Sequence, residues 1–146
     1  MLALTKKTGY ALVAMTHLAR LDRDGVASAR EIAALFGVPA ALLMNVLKQL
    51  AAAGYVESTR GAHGGYRLAM GLEQISLAQL VEALEGPVRA AECISDPSRK
   101  DECTFQMMAR CPINDPVHRV QRKINDLLNK VTLAELLDAP SLTEAK

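Results

Sequence analysis

Two short helical patterns joined by a single glycine constrain the fold of this chain more than any other feature. The first follows Ser28, whose hydroxyl can cap the helix while the Glu31 carboxylate reaches back, and it ends at Gly37, which suits a left-handed turn. Pro39 suits the first position of the second helix, which extends to Ala52. The inward positions of this helix are apolar at spacings of three and four: Leu43, Val46, Leu47 and Leu50. Two short helices joined in this way predict a helix-turn-helix.

A glycine-rich hairpin pattern follows the second helix. Residues 55–60 and 66–68 have the composition of two short strands. The tip between them contains Gly61, Gly64 and Gly65, for which we expect positive backbone angles. A hairpin in this position predicts the wing of a winged helix-turn-helix.

Further helices are predicted on either side of this unit. The first helix extends from about Thr5 to Leu21, and another is capped by Ser76 and ends at Gly86. Residues 1–86 are therefore predicted to form a winged helix-turn-helix domain.

The pattern changes after this domain. Residues 87–114 contain all the cysteines and no apolar periodicity, which predicts a loop. Residues 115–138 are predicted to form a long helix, opened by Asp115 and Pro116, and a short last helix, while residues 139–146 are expected to fray. The long helix has apolar residues at the spacing of a seam between paired helices: Val117, Val120, Ile124, Leu127, Leu128 and Val131. The predicted fold class is mainly α with a small β wing, a winged helix-turn-helix plus a long C-terminal dimerisation helix.

Charge is divided unevenly along the 146-residue chain, although the net charge is only +1. Residues 1–70 hold eight Lys and Arg against four Asp and Glu, whereas residues 71–146 hold nine against twelve. A polyanion such as DNA is therefore expected to bind the first half. Three scattered histidines without paired acid and base groups do not indicate an enzyme.

The start of the chain predicts neither a signal peptide nor a membrane span. The apolar run behind Lys6 and Lys7 is interrupted by Thr16, His17 and Arg20 before it reaches membrane-spanning length. We therefore expect a cytoplasmic protein with no membrane partner. Thiols stay reduced in the cytoplasm, and an odd number of cysteines also argues against a disulfide framework.

The outward positions of the second helix of the pair suit recognition of double-stranded DNA. Asn45 can pair with adenine, and Lys48 with phosphate or guanine. Ala41 or Met44 can contact a thymine methyl group in the major groove. The wing would touch the DNA backbone or the minor groove. The alternative is a winged domain used only for protein contacts, but the basic first half favours DNA. The predicted DNA-binding residues are Lys6, Ala41, Asn45, Lys48, Arg60, His63, Gly64 and Gly65.

The three cysteines of the chain, Cys93, Cys103 and Cys111, are separated by nine and seven residues. This is not the paired spacing of a zinc finger. Three thiolates can hold an iron-sulfur cluster, which normally takes four ligands. Spacing alone leaves two interpretations open, a metal site or unrelated cysteines.

Several segments resemble the Rrf-two family of bacterial transcription regulators. They are Leu4-Thr5-Lys6 through Gly9-Tyr10-Ala11, the wing from Arg60 to Ala69, Ile75-Ser76 through Glu85-Gly86-Pro87, and Val131 to Leu136. The resemblance implies a homodimer that binds a palindromic operator in double-stranded DNA. It also implies a 2Fe-2S or 4Fe-4S cluster whose state controls operator binding, held by Cys93, Cys103 and Cys111.

The fourth ligand of such a cluster is left open. Members of the family supply it at positions that are Asn114 and Gly9 here, and neither is a usual ligand. The candidates are His118, Asp115, Asp101, Glu102, a residue of a partner subunit or a small-molecule thiol. The alternative function is a regulator without a cluster, in which two cysteines oxidise to a disulfide. A small redox enzyme is the rival from another class.

Overall fold

The computed structural model describes residues 4–22, 25–90 and 112–138. The three cysteines, the acidic candidates Asp101 and Glu102, and the end predicted to fray lie outside these residues. The described elements, in chain order, are α1 (Lys6–Ala19), α2 (Ala29–Phe36), α3 (Ala40–Ala52), β1 (Val56–Thr59), β2 (Gly65–Leu68), a 3₁₀ turn (Leu72–Gln74), α4 (Leu77–Glu85), α5 (Asn114–Lys130) and α6 (Leu133–Asp138). The predicted class, mainly α with a small β wing, is confirmed.

The turn between α2 and α3 is the one that the sequence predicts. Ser28 accepts a hydrogen bond from the Glu31 N–H at 3.2 Å, and its own N–H donates to the Glu31 carboxylate at 2.7 Å. The hydrogen bond from the Ser28 N–H, together with one from the Ser28 hydroxyl, lowers the pKa of the Glu31 carboxyl. Gly37 ends α2 in the left-handed region with φ of 66°. Pro39 is the N-cap of α3 rather than its first residue, so the helix begins one position later than predicted.

The core is formed between α1, α3 and α4, because each of these helices presents an apolar face to the others. The inward residues predicted for α3 are buried, and α1 meets them through small side chains that allow close approach. Leu80 and Leu84 of α4 complete this core, which includes Ala11, Ala14, Met15, Leu18, Leu43, Val46, Leu47 and Leu50. The outer face of α3 is thereby fixed toward solvent.

The wing glycines act in two different ways. Gly61 alone at the tip has a positive φ, of 122°, so the expectation of positive angles at Gly64 and Gly65 was wrong. A Cβ at Gly64 would lie 2.4 Å from the Thr59 carbonyl oxygen, and one at Gly65 would lie 2.7 Å from the Ala27 backbone. These two positions need glycine because backbone approaches closely there, not because of a left-handed turn.

A backbone bridge fixes the end of α5 on the winged domain. The Leu77 N–H donates to the Val131 carbonyl at 2.8 Å, and the Leu133 N–H donates to the Ile75 carbonyl at 2.9 Å. Leu133 is fully buried. The last turn of α5 and the start of α6 are therefore held at the beginning of α4.

The start of α5 differs from the prediction. The helix begins at Asn114, its N-cap is Ile113, and no side chain caps it, whereas Asp115 was expected to cap it. Pro116 is the third residue of the helix. Its missing N–H costs no helical hydrogen bond, because the first four N–H groups of a helix have no partner within the helix.

Replacing Gly9 with alanine is expected to stabilise the fold. Gly9 lies inside α1, its N–H donates to the Thr5 carbonyl at 3.0 Å, and a Cβ there would meet nothing within 4 Å. Glycine inside a helix costs about 0.5–1 kcal/mol relative to alanine. Thermal or urea unfolding of Gly9→Ala should show a gain of this size, and a loss of stability would contradict the open space at Gly9.

Candidate nucleic-acid interface and cysteine segment

The outer face of α3 presents the side chains predicted to read DNA. Ala41, Asn45 and Lys48 are exposed. Met44 is half-buried and lies with Tyr66 and Ser58 in a groove between the helix-turn-helix and the wing. The polar groups exposed on α3 are thus two amides, those of Asn45 and Gln49, and one cation, and Met44 connects this face to the wing.

A second groove, between α3 and the start of α1, carries more positive charge. Lys6 and Lys7 line it from α1, opposite Asn45 and Lys48 of α3. Tyr10, Leu42 and Gln49 line the same groove, and sequence reasoning had not assigned any of them or Lys7 to the interface. Their place depends on how α1 packs on α3, which the periodicity of each helix alone does not give.

The two arginines of the wing have different surroundings. Arg67 donates from both Nε and Nη2 to the Glu57 carboxylate, at 3.0 and 2.9 Å. Arg60 and His63 are exposed at the base and the tip of the hairpin. Arg60 is therefore the wing cation better placed to bind an anion, since the Glu57 carboxylate already binds Arg67.

Hydrogen bonds join the start of α1 to the end of α4. The Thr5 and Thr8 hydroxyls both donate to the Glu85 carboxylate, the latter at 3.4 Å. The Lys7 ammonium donates to the Leu84 carbonyl. These hydrogen bonds therefore connect the basic groove, which is the one lined by Lys6, Lys7 and Lys48, to the turn that precedes the cysteine segment.

The backbone just before the cysteines is bound to α5 through one side chain, Gln121. Its Oε1 accepts a hydrogen bond from the Ala90 N–H at 2.6 Å, and its Nε2 donates to the Val88 carbonyl at 2.7 Å. The other hydrogen of Nε2 is donated to the Asn125 Oδ1 at 2.8 Å. Gln121 is only 8% exposed, and the three hydrogen bonds use both hydrogens of its amide and one lone pair of its oxygen.

The candidate ligand His118 lies in the second turn of α5 and is exposed. It precedes Gln121 by three residues, so it occupies the same side of the helix one turn earlier. Asp115 is exposed in the first turn. Within residues 4–22, 25–90 and 112–138, no three His, Cys, Asp or Glu side chains lie together as a metal site requires.

One face of α5 presents an apolar stripe, formed by Val117, Val120, Ile124 and Leu127. Val120 and Leu127 are 50% and 63% exposed, and the other two are half-buried. The predicted residues Leu128 and Val131 pack instead against the core of the winged domain. The seam positions thus separate into an inner pair that holds α5 on its own domain and an outer stripe.

None of the helices that the structure describes combines the length and the hydropathy that a membrane span requires.

Comparison with known proteins gives a consistent family match. The profile of the Rrf2 family, described as an iron-dependent transcriptional regulator, matches residues 4–139. The transcriptional regulator IscR of Photobacterium profundum is 32% identical over 134 residues, which cover 92% of this chain and 74% of that protein.

Solved structures of the same type share the fold. CymR of B. subtilis, whose structure is described as that of the global cysteine regulator, aligns with a TM-score of 0.70 and 27% identity over 97% of this chain and all of that one. The oxidised form of Staphylococcus aureus CymR aligns with a TM-score of 0.66 and 26% identity, over 96% and 99% of the two chains.

Proposed function

The chain belongs to the Rrf2 family of DNA-binding transcriptional regulators, and within that role we propose that its three cysteines hold an iron-sulfur cluster which controls operator binding. The observation that carries this proposal is where the cysteines stand in the chain. They lie between Ala90, whose backbone is bound to α5, and Pro112, two residues before the start of α5. Both attachment points are therefore on one helix, about 10 Å apart by the helical rise from Asn114 to Gln121.

The proposed DNA contacts combine the outer face of α3 with the basic groove and the wing. Asn45 reads a base edge, Lys48 and Lys6 neutralise phosphates, and Arg60 and His63 reach the backbone beside the wing. Ala41 leaves room for a thymine methyl group. Gly64 and Gly65 contribute by shape, because their close backbone approaches set the path of the hairpin.

The proposed assembly is a homodimer that pairs the apolar stripes of two α5 helices. A stripe at spacings of three and four fits a second copy of the same stripe, as in other paired helices. Two winged domains related by a twofold axis then meet two half-sites of a palindromic operator.

The donor set fits an iron-sulfur cluster. Cys93, Cys103 and Cys111 supply three thiolates, the preferred ligands of such clusters, and His118 is the described candidate for the fourth position. A bound cluster would supply a redox-active group, and the redox conditions would decide whether the cluster stays intact. The chain's own part is to hold the cysteine segment against α5 and to transmit its state to the winged domain.

Replacing Cys103 with alanine is expected to abolish iron loading and the operator response to it. Wild-type protein purified without oxygen should be brown and contain both iron and acid-labile sulfide, whereas Cys103→Ala should lose most of both. Operator affinity of the variant, measured by fluorescence anisotropy, should be the same before and after treatment with ferrous iron and sulfide. Ser98→Ala, in the same segment, is the matched control and should behave as wild type. Unchanged iron content in Cys103→Ala would overturn the proposal.

The second candidate function is a thiol switch without a cluster. It is favoured by the likeness to a CymR crystallised in an oxidised form. Two thiols would lose two protons and two electrons to an oxidant such as hydrogen peroxide and form a disulfide. Protein purified without oxygen would then be colourless, and oxidation would lower its count of free thiols by two.

A further inference from the structure

Gln121 lies on a helix and binds the backbone of another segment through its side chain. Its amide pairs with the N–H of one residue and the carbonyl of another two positions earlier, much as a neighbouring peptide group would in a sheet. Among the residues that the structure describes, it is the only glutamine that is buried. A buried amide is costly unless all its polar atoms are paired, and here they are paired with backbone of residues 88–90.

The position of Gln121 on α5 adds to this. Gln121 directly follows Val120 of the apolar stripe. It lies two helical turns before Leu128, which packs on the winged domain. A displacement of residues 88–90 would therefore act on α5 beside the surface that pairs two subunits. The same residues follow Glu85, which bonds the start of α1 and so the basic groove.

We infer that Gln121 is the positioning residue that couples the cysteine segment to DNA binding, by holding residues 88–90 on α5. This inference rests on the proposed function, since it names how the state of the cysteines reaches the winged domain. Two discrete arrangements of a segment, clamped or released, are what an allosteric coupling of two sites requires.

The test compares Gln121→Met with Asn125→Ala. Methionine keeps the length and the packing of the side chain but removes both hydrogen bonds to residues 88–90. The Asn125 variant removes only the bond within α5 and leaves the clamp intact. Gln121→Glu is a second variant, which keeps the acceptor for the Ala90 N–H and loses the donor to Val88. Circular dichroism and sedimentation establish that each variant is folded and has the wild-type oligomeric state.

The readouts are amide exchange and operator affinity. Exchange of the Ala90 N–H with deuterium should be slow in wild type and Asn125→Ala and fast in Gln121→Met. Affinity is measured with metal-free reduced cysteines and again after loading with ferrous iron and sulfide. If wild type shows a difference of about tenfold between these states, within the usual range of allosteric coupling, Gln121→Met should reduce it to less than about twofold and Gln121→Glu should fall between them.

Two results would count against these ideas in different ways. A Gln121→Met variant that keeps the wild-type difference in operator affinity would overturn the inference and leave the proposed function standing. A wild-type protein that shows no difference between the two states would overturn the proposed function, and the coupling role of Gln121 with it.

Discussion

Replacing Leu127 with glutamate is expected to dissociate the proposed dimer while leaving each subunit folded. Leu127 is 63% exposed in the isolated chain, so a carboxylate there remains hydrated in the monomer. In the proposed dimer the side chain is buried against its mate, and an uncompensated buried charge costs about 3 kcal/mol or more. Two copies per dimer would raise the dissociation constant of the dimer by roughly ten-thousand-fold.

Loss of the dimer should also weaken operator binding. One winged domain alone reaches one half-site and loses the gain in effective concentration that a linked second domain provides. Asn129→Glu is the matched control, because it makes the same charge change on the opposite, exposed side of α5. Sedimentation equilibrium of both variants, with thermal unfolding as a check on the fold, decides the question. If Leu127→Glu kept the dissociation constant of the Asn129→Glu control, the stripe would not be the dimer interface.

The helices of the winged domain were predictable because their local signals agree with the tertiary packing. The Ser28 and Glu31 capping box, the Gly37 turn and the inward residues of α3 all have the structure that their spacing predicts. The reason given for Gly64 and Gly65 was wrong, since close backbone contacts decide both positions. Gly64 approaches Thr59 within the hairpin, whereas Gly65 approaches Ala27, far away in the sequence. A local pattern cannot reveal such a contact.

The site was less predictable than the fold, and Gln121 shows why. Its neighbours in the sequence mark it only as a polar residue on an amphipathic helix, where exposure is the ordinary expectation. Gln121 is buried because residues 88–90 pass across α5 at this point. The periodicity of α5 does not show where that segment lies. Lys7 and Gln49 were missed for a similar reason, because the groove that they line forms between two helices that are remote in sequence.

Replacing Lys48 with glutamate is expected to weaken operator binding by about a hundredfold, whatever the operator sequence, because Lys48 is proposed to contact phosphate. At about 0.15 M salt, counterion release contributes about 1 kcal/mol for each phosphate contact. A dimer loses two such contacts, which amounts to about thirtyfold in affinity, and repulsion between the new carboxylates and the DNA accounts for the rest. The slope of log affinity against log salt should also become shallower by about two.

The control must separate this local contact from the general effect of net charge. Arg122→Glu makes the same change of two charges per subunit at an exposed position of α5, on the side opposite the apolar stripe. Long-range repulsion is screened beyond a Debye length of about 8 Å at physiological salt, so this variant should lose only a few-fold in affinity. A base-reading role for Lys48 makes a different prediction from a phosphate contact, since it concentrates the loss on operators with guanine at one position. Anisotropy titrations of Lys48→Glu and Arg122→Glu at several salt concentrations distinguish the two roles, and equal losses in both variants would remove Lys48 from the interface.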